Sequence, residues 1–243
     1  MSLWRDADAP DALVGIIANP ASGKDIRRLV AHATTVDNVG KVGIIRRALI
    51  GLGVSGILRA AYMPDRYHLV EQALRGLEHS DAELPRVAPL PLATTDVAED
   101  SSRAAALLCE QGAGCILVLG GDGTVRAVSR GAGDVPLLPI STGTNNVLPA
   151  FVESTVAGIA AGALARGLVP LGLSALRHKW IEIRVNGTPR DRALVDVAVL
   201  RGRWTGARAV WQASDLLAIA VTRADPAAIG ISAIAGALQP LGP

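Results

Sequence analysis

The sequence predicts an α/β fold: an N-terminal, mostly parallel sheet with flanking helices, followed by a β-rich antiparallel lobe. Three observations carry this expectation. Short unbroken apolar runs, such as Leu13–Ala18 and Ile116–Leu119, have the pattern of strands buried on both faces of a parallel sheet. Segments with helical spacing alternate with those runs, the order that builds a parallel sheet with ligands at the carboxyl ends of its strands. After about residue 170 the pattern turns to alternating residues and hairpin signals. Two units are expected, residues 1–170 and residues 171–243.

Taken in order, Leu13–Ala18 is a strand and Lys24–His32 a basic helix beginning after Gly23. Val39–Leu52 has apolar residues at helical spacing, Gly56–Met63 reads as a strand, and Tyr67–Leu77 as a helix. Arg86–Leu92, with three prolines nearby, is an irregular strand or linker. Asp96–Gln111 is a helix that Thr95 can cap, with Glu99 and Asp100 in its first turns. The Ile116–Leu119 strand leads into a helix from Thr124, and Leu137–Ile140 is a further strand. Ser154–Leu176 is the most membrane-like stretch, yet it contains Arg166, Pro170 and four glycines. A buried Ala-rich helix followed by a strand explains it better than a membrane span. Lys179–Val185 alternates, Asn186-Gly187 is a strong hairpin signal, and Asp191–Leu200, Arg208–Trp211 and Leu216–Thr222 add strand-like pieces.

Composition agrees with a soluble α/β enzyme. Half of the residues are hydrophobic but only 3% are aromatic, so the core is built from Ala, Val, Leu and Ile. Twenty-four Lys and Arg against 22 Asp and Glu leave a formal charge of +2, too balanced for a nucleic-acid binder. Cys109 and Cys115 form no CxxC pair and are expected to be reduced, in a cytoplasmic protein without a signal peptide. His32, His68, His79 and His178 lack metal-ligand spacing, and Ser22 and Ser141 lack a recognisable base partner for hydrolase chemistry. Gly23-Lys24 does not complete a Walker A loop, although Lys24 can still reach a phosphate. The Arg27-Arg28 and Arg46-Arg47 pairs read as solvated helix faces, and Trp180 and Trp211 as packing in the β lobe. Trp204 stays open as a ligand contact.

The most informative stretch is Gly120-Gly121-Asp122-Gly123-Thr124, at the turn from a buried strand to a helix. Three glycines remove Cβ atoms that would obstruct a ligand and permit backbone angles closed to other residues. The N–H groups and the helix N-terminus favour an anion. Asp122 does not belong in a pure phosphate nest. It makes sense if it interacts with Mg²⁺ or takes a proton from an attacking hydroxyl.

GGDGT also resembles the signature shared by NAD kinases, diacylglycerol and sphingosine kinases and, more distantly, phosphofructokinases. Asn19-Pro20-Ala21-Ser22-Gly23 is similar to the NPxSG that ends the first strand in the lipid-kinase branch. Ser141-Thr142-Gly143-Thr144-Asn145-Asn146 resembles the GTxN motif closing the same nucleotide cleft. The longer context is most similar to the AcoX-type branch of ATP-NAD kinase-like proteins, which is associated with acetoin catabolism. In the second unit, Ala193–Val197 looks like the segment through which NAD kinases hold a ribose, with Asp196 in the acidic position and Val195 in place of an asparagine. Residues 228–236 resemble the substrate loop of those enzymes, without the TPTGS run that precedes it, and contain Ser232. The chain stops at Pro243 where the family usually continues with more strands, as expected of a shortened member or a fragment.

The resemblance implies an ATP- and Mg²⁺-dependent phosphotransferase with a hydroxyl acceptor, the 2′-OH of NAD first, as in NADP biosynthesis. Asp122 is the catalytic candidate and indirect Mg²⁺ contact. Asn19, Ser22, Gly23, Gly120, Gly121, Gly123, Thr124, Thr144, Asn145 and Asn146 are the nucleotide and phosphate candidates, and Asp196 and Ser232 the acceptor candidates. The partners expected are a nucleotide and a small-molecule acceptor, with no nucleic acid and no membrane span, in a homo-oligomer (dimer or tetramer). Two alternatives stand beside NAD: another alcohol, either an acetoin-pathway metabolite or a lipid, and a nucleotide-binding sensor without turnover.

Overall fold

The computed structural model describes residues 12–23, 35–202, 213–227 and 230–240. Five strands form one parallel sheet: β1 (Leu13–Ala18), β2 (Arg59–Tyr62), β3 (Arg86–Pro89), β4 (Ala113–Gly120) and β5 (Leu137–Ser141), in the order β3-β2-β1-β4-β5. Every residue of β1 is buried, as is nearly all of β4. Their side chains alternate between two cores: Val14, Ile16, Cys115, Leu117 and Leu119 on one face, and Leu13, Ile17, Ile116 and Val118 on the other. A strand feeding two cores has no polar face, which is why these runs read as unbroken apolar sequence.

Helices α1 (Asn38–Val54), α2 (Leu69–Arg75) and α5 (Ser154–Ala165) cover the first face. The second carries α3 (Ala98–Glu110) and α4 (Asp122–Ser129). The α1–α5 contact is a close backbone approach: a Cβ on Gly51 would collide with the carbonyl of Thr155, and one on Gly158 with that of Ala48. The chain reverses from building outward through β2 and β3 to building through β4 and β5. The topological switch point therefore falls between β1 and β4.

Some local expectations shift. Helix α2 starts at Leu69 and not Tyr67, because His68 is left-handed (φ 53) and Asp65 accepts from the N–H groups of Tyr67 and Leu69. Thr95 does not cap α3; Val97 occupies the cap position, and Thr95 donates instead to Asp100 through its N–H (2.7 Å) and hydroxyl (3.0 Å). The strand expected after α5 is a short helix, α6 (Leu171–Ser174), held by bonds to the carbonyls of Pro170 and Leu171.

Beyond it lie two antiparallel ribbons. Strands β6 (Ile181–Val185) and β7 (Thr188–Ala193) join through Asn186 (φ 52) and Gly187 (φ 77), the two left-handed residues a tight type I′ turn requires. Strands β8 (Asp196–Leu200) and β9 (Leu216–Val221) form the other ribbon, with a 3₁₀ turn at Ala213–Asp215 before β9. The loop expected over residues 228–236 is helical from Ile231, in helix α7 (Ile231–Leu238). The expected Lys24–His32 helix, the Arg208–Trp211 strand, Trp204 and residues 228–229 lie outside the described residues. Among the described residues no helix is long and apolar enough to cross a membrane.

Candidate functional site

The three sequence motifs follow the carboxyl ends of β1, β4 and β5, which lie side by side with Ala18 level with Leu119 and Gly120 level with Ser141. Hydrogen bonds join them. Asn19 donates from Nδ2 to the Thr124 hydroxyl (3.0 Å), and Thr142 donates its hydroxyl to that of Ser22 (3.0 Å). Ser22 in turn donates its hydroxyl to the Asn19 carbonyl (2.7 Å). Gly23 is left-handed at φ +88 and ends the described part of the first loop.

The glycines of GGDGT do not adopt the unusual backbone angles expected of them. None of Gly120, Gly121 and Gly123 has a positive φ; Gly121 is extended (φ −102, ψ −174) and immediately precedes α4. Their backbone angles are open to other residues, and at Gly120 the reason for glycine is space. A Cβ on Gly120 would run into the Thr124 side chain, so this glycine lets the buried Thr124 fold back over the strand end. A Cβ on Gly123 would meet nothing within 4 Å. Gly123 thus presents bare backbone at the first turn of a helix, where N–H groups lack intrahelical partners.

Asp122 reaches across to the loop after β5. Its Oδ1 accepts from the N–H groups of Val147 (3.1 Å) and Leu148 (2.8 Å), and its Oδ2 from Val147 (2.9 Å). The loop has its own brace: Asn146 Nδ2 donates to the Ser141 hydroxyl (2.8 Å) and the Gly143 carbonyl (2.9 Å). Asn146 therefore shapes this loop, whereas Asn145 is exposed and left-handed at φ 69, and Thr144 is half-buried. Val36 donates to the Thr142 carbonyl (2.9 Å), tying the start of α1 to the same loop.

The acceptor candidates separate. Asp196, at the start of β8, is half-buried and close enough to Asp122 for their charges to interact. Burial pushes its pKa above the usual carboxylate range, and the negative charge of Asp122 adds to the shift. Ser232 is different. It is fully buried in α7 and donates its hydroxyl to the Arg223 carbonyl (2.7 Å), so its hydroxyl proton is already engaged.

Two features escaped the sequence reading. Lys41 on α1 is completely buried, and its Nζ donates to the carbonyls of Asn19, Pro20 and Ser22. Its spacing from Ile45, Ala48, Leu49 and Leu52 puts it on the buried stripe of α1, a signal present in the sequence. The second is a clasp behind the motif helix. Asp191 of β7 bonds to Arg126 of α4 (2.7 Å) and to Arg130 just beyond its end, and Arg192 donates to the Ser129 carbonyl (3.0 Å). Burial works against the Asp191 charge, but the Arg192 N–H and the Arg126 and Arg130 guanidiniums outweigh it and hold its pKa below the usual range. Only the paired positions of distant residues reveal this clasp.

Comparison with known proteins places this geometry. Residues 14–168, the parallel sheet and all three motif loops, match the ATP-NAD kinase N-terminal domain. The chain belongs to the ATP-NAD kinase family. The similarity in this family member continues past the kinase domain, because residues 179–243 match the Acetoin catabolism protein X C-terminal domain. The chain is 42% identical over 237 residues to Acetoin catabolism protein X of Cupriavidus necator, covering 95% of itself and 66% of that relative. It spans just under two thirds of the relative's length. No solved structure matches the chain significantly. The NAD kinase-like domain and the AcoX homology establish a kinase-like family for the whole described sheet.

Proposed function

We propose that this protein is an ATP-dependent kinase that transfers a phosphoryl group to a hydroxyl of a small molecule, with the NAD 2′-OH as the first acceptor to test. The observation that carries the reading is the meeting of three hydrogen-bonded loops at the switch point of a parallel sheet, around the bare backbone of Gly123. This arrangement supports an anionic triphosphate as the ligand. The site offers glycine backbone, a helix start and the loop after β1. Gly120, Gly121, Gly123, Thr124, Asn19, Ser22 and Gly23 are the proposed phosphate contacts, and Thr144, Asn145 and Asn146 line the nucleotide side.

Among the described residues no group of three or more His, Cys, Asp and Glu is built to hold a metal. The proposed Mg²⁺ arrives on the nucleotide, since this ion keeps several waters and takes few carboxylates beside phosphates. Asp122 is its proposed indirect contact. When bound, the ion would supply charge neutralisation on the phosphates. In the reaction the acceptor oxygen forms a bond to the γ-phosphorus, the bond to the β,γ-bridging oxygen breaks, and ADP leaves. Asp122 receives the acceptor proton, and Asp196 accepts a hydrogen bond from a sugar hydroxyl. Positioning and charge supply most of the rate, because little covalent work falls to the protein.

A second reading, another alcohol in place of NAD, is favoured by the match of residues 179–243 to the acetoin-protein domain. One experiment separates the two: labelled ATP with a panel containing NAD and small diols and hydroxyketones. Label transfer to NAD supports the first reading, and transfer only to a smaller alcohol supports the second. Asp122→Asn should lower kcat on the accepted substrate by about 10²-fold or more, the scale of a lost general base. A wild-type protein that binds ATP yet transfers label to nothing points to the sensor.

A further inference from the structure

Lys41 is a fully buried ammonium beneath the first loop of the site. A charge in that position is costly unless its protons are taken up by good acceptors. Here Nζ lies 3.0 Å from the carbonyl oxygen of Asn19, 3.2 Å from that of Pro20, 2.8 Å from that of Ser22, and 3.2 Å from Asn38 Oδ1. The carbonyls of Asn19, Pro20 and Ser22 belong to one four-residue stretch. That stretch also touches both other motif loops, through Asn19 to Thr124 and through Ser22 to Thr142.

We propose that Lys41 is the positioning residue of the phosphate site: it gathers the carbonyls of Asn19, Pro20 and Ser22 on the inner side of the loop and fixes a positive charge beneath it. The inference rests on the kinase reading above. A carbonyl oxygen is the negative end of its peptide, and one turned outward would repel a triphosphate. Drawn inward onto an ammonium, the same groups leave the outer side less negative. The charge itself acts at longer reach, since an ammonium shielded from water keeps more of its field than one in solution. A lysine retained only for packing needs neither effect, because an apolar chain of equal length fills the same space. The sequence offers Lys24, next to the motif, as a phosphate-side lysine; the fold supplies Lys41 from α1.

The test compares nucleotide binding by calorimetry in the wild type, Lys41→Met and Lys41→Arg, with ATP, ADP and adenosine as ligands. Methionine keeps the length and removes the charge. We expect Lys41→Met to lose about tenfold or more in ATP affinity, less for ADP and little for adenosine, because the lost term scales with ligand charge. Lys41→Arg should recover part of the ATP preference. Should Lys41→Met fail to fold, Lys41→Gln keeps a donor for the carbonyls and still removes the charge, with the same expected order. If the variants lower Tm but leave the ratio of ATP to adenosine affinity unchanged, Lys41 is a structural residue and the inference is wrong. If the wild type itself binds no ATP, the kinase reading falls and takes this inference with it.

Discussion

The parallel sheet and the two antiparallel ribbons use apolar residues in opposite ways. In β4, Ile116 through Gly120 are all buried, and their side chains feed two cores. In β9 the run Leu216–Val221 is equally apolar in sequence, yet its four central residues are exposed. The first region is a rigid platform that fixes where each loop emerges. The second is a pair of thin ribbons: the Asp191 clasp on α4 ties one of them to the platform, and the Thr222 hydroxyl on the Leu194 carbonyl (2.7 Å) ties the ribbons to each other. Loops anchored on the platform carry recognisable motifs because their geometry is tightly constrained.

The largest expected effect breaks the comparison directly. Leu117→Ala, at a fully buried position, should cost about 2–5 kcal/mol of stability by denaturant unfolding, through lost burial and a cavity. Leu217→Ala, at a position 56% exposed, should cost under about 0.5 kcal/mol. A large loss at Leu217 would mean that the ribbon is covered in solution.

Next come the motif glycines, which divide along a line the sequence does not draw. Gly120→Ala forces a methyl against Thr124 and should cost about 1–3 kcal/mol of stability, as overpacking does. Gly123→Ala meets open space inside a helix and should leave Tm unchanged or slightly higher, while weakening ATP binding. Thermal unfolding and calorimetry on the pair check this. An alanine at 123 that binds ATP–Mg²⁺ as well as glycine would move the anion cradle elsewhere.

The smallest effect concerns the ribbon side of the cleft. The folded state raises the pKa of Asp196 through burial and the nearby Asp122 charge, so folding favours its protonated form. The sign follows: above the raised pKa the ionised side chain opposes folding, and the penalty fades as pH falls toward the unfolded value. Asp196→Asn should therefore raise Tm modestly at neutral pH, with the gain shrinking in acid. Asp191 has the opposite sign, since its lowered pKa gives a contribution present above the unfolded value and lost as pH falls. Tm against pH for the two asparagine variants should show the opposed trends.

Much of the platform was legible in the sequence. The strands announced themselves because double-sided burial leaves an unbroken apolar run, and the motifs fell at strand ends because strand-to-helix turns there expose backbone to a ligand. The Asn186-Gly187 turn was legible for a local reason as well: both residues tolerate the left-handed backbone that a two-residue hairpin needs. Local chemistry was less dependable where a distant group competed. Asp100 drew Thr95 away from the expected cap, and residues 231–238 wound into α7, where burial consumed the Ser232 hydroxyl.

By itself the sequence determined the α/β class, the strand-end loops and the acidic residue among the glycines, because each follows from periodicity or spacing within a few residues. Tertiary structure alone decided what those residues touch. It put the Asp122 carboxylate on the Val147 and Leu148 amides, brought Asp196 near it from a separate ribbon, and turned Lys41 beneath the first loop. Those contacts join residues 19 to 74 positions apart, and no local pattern encodes a hydrogen bond or a charge pair whose partners only the folded packing brings together.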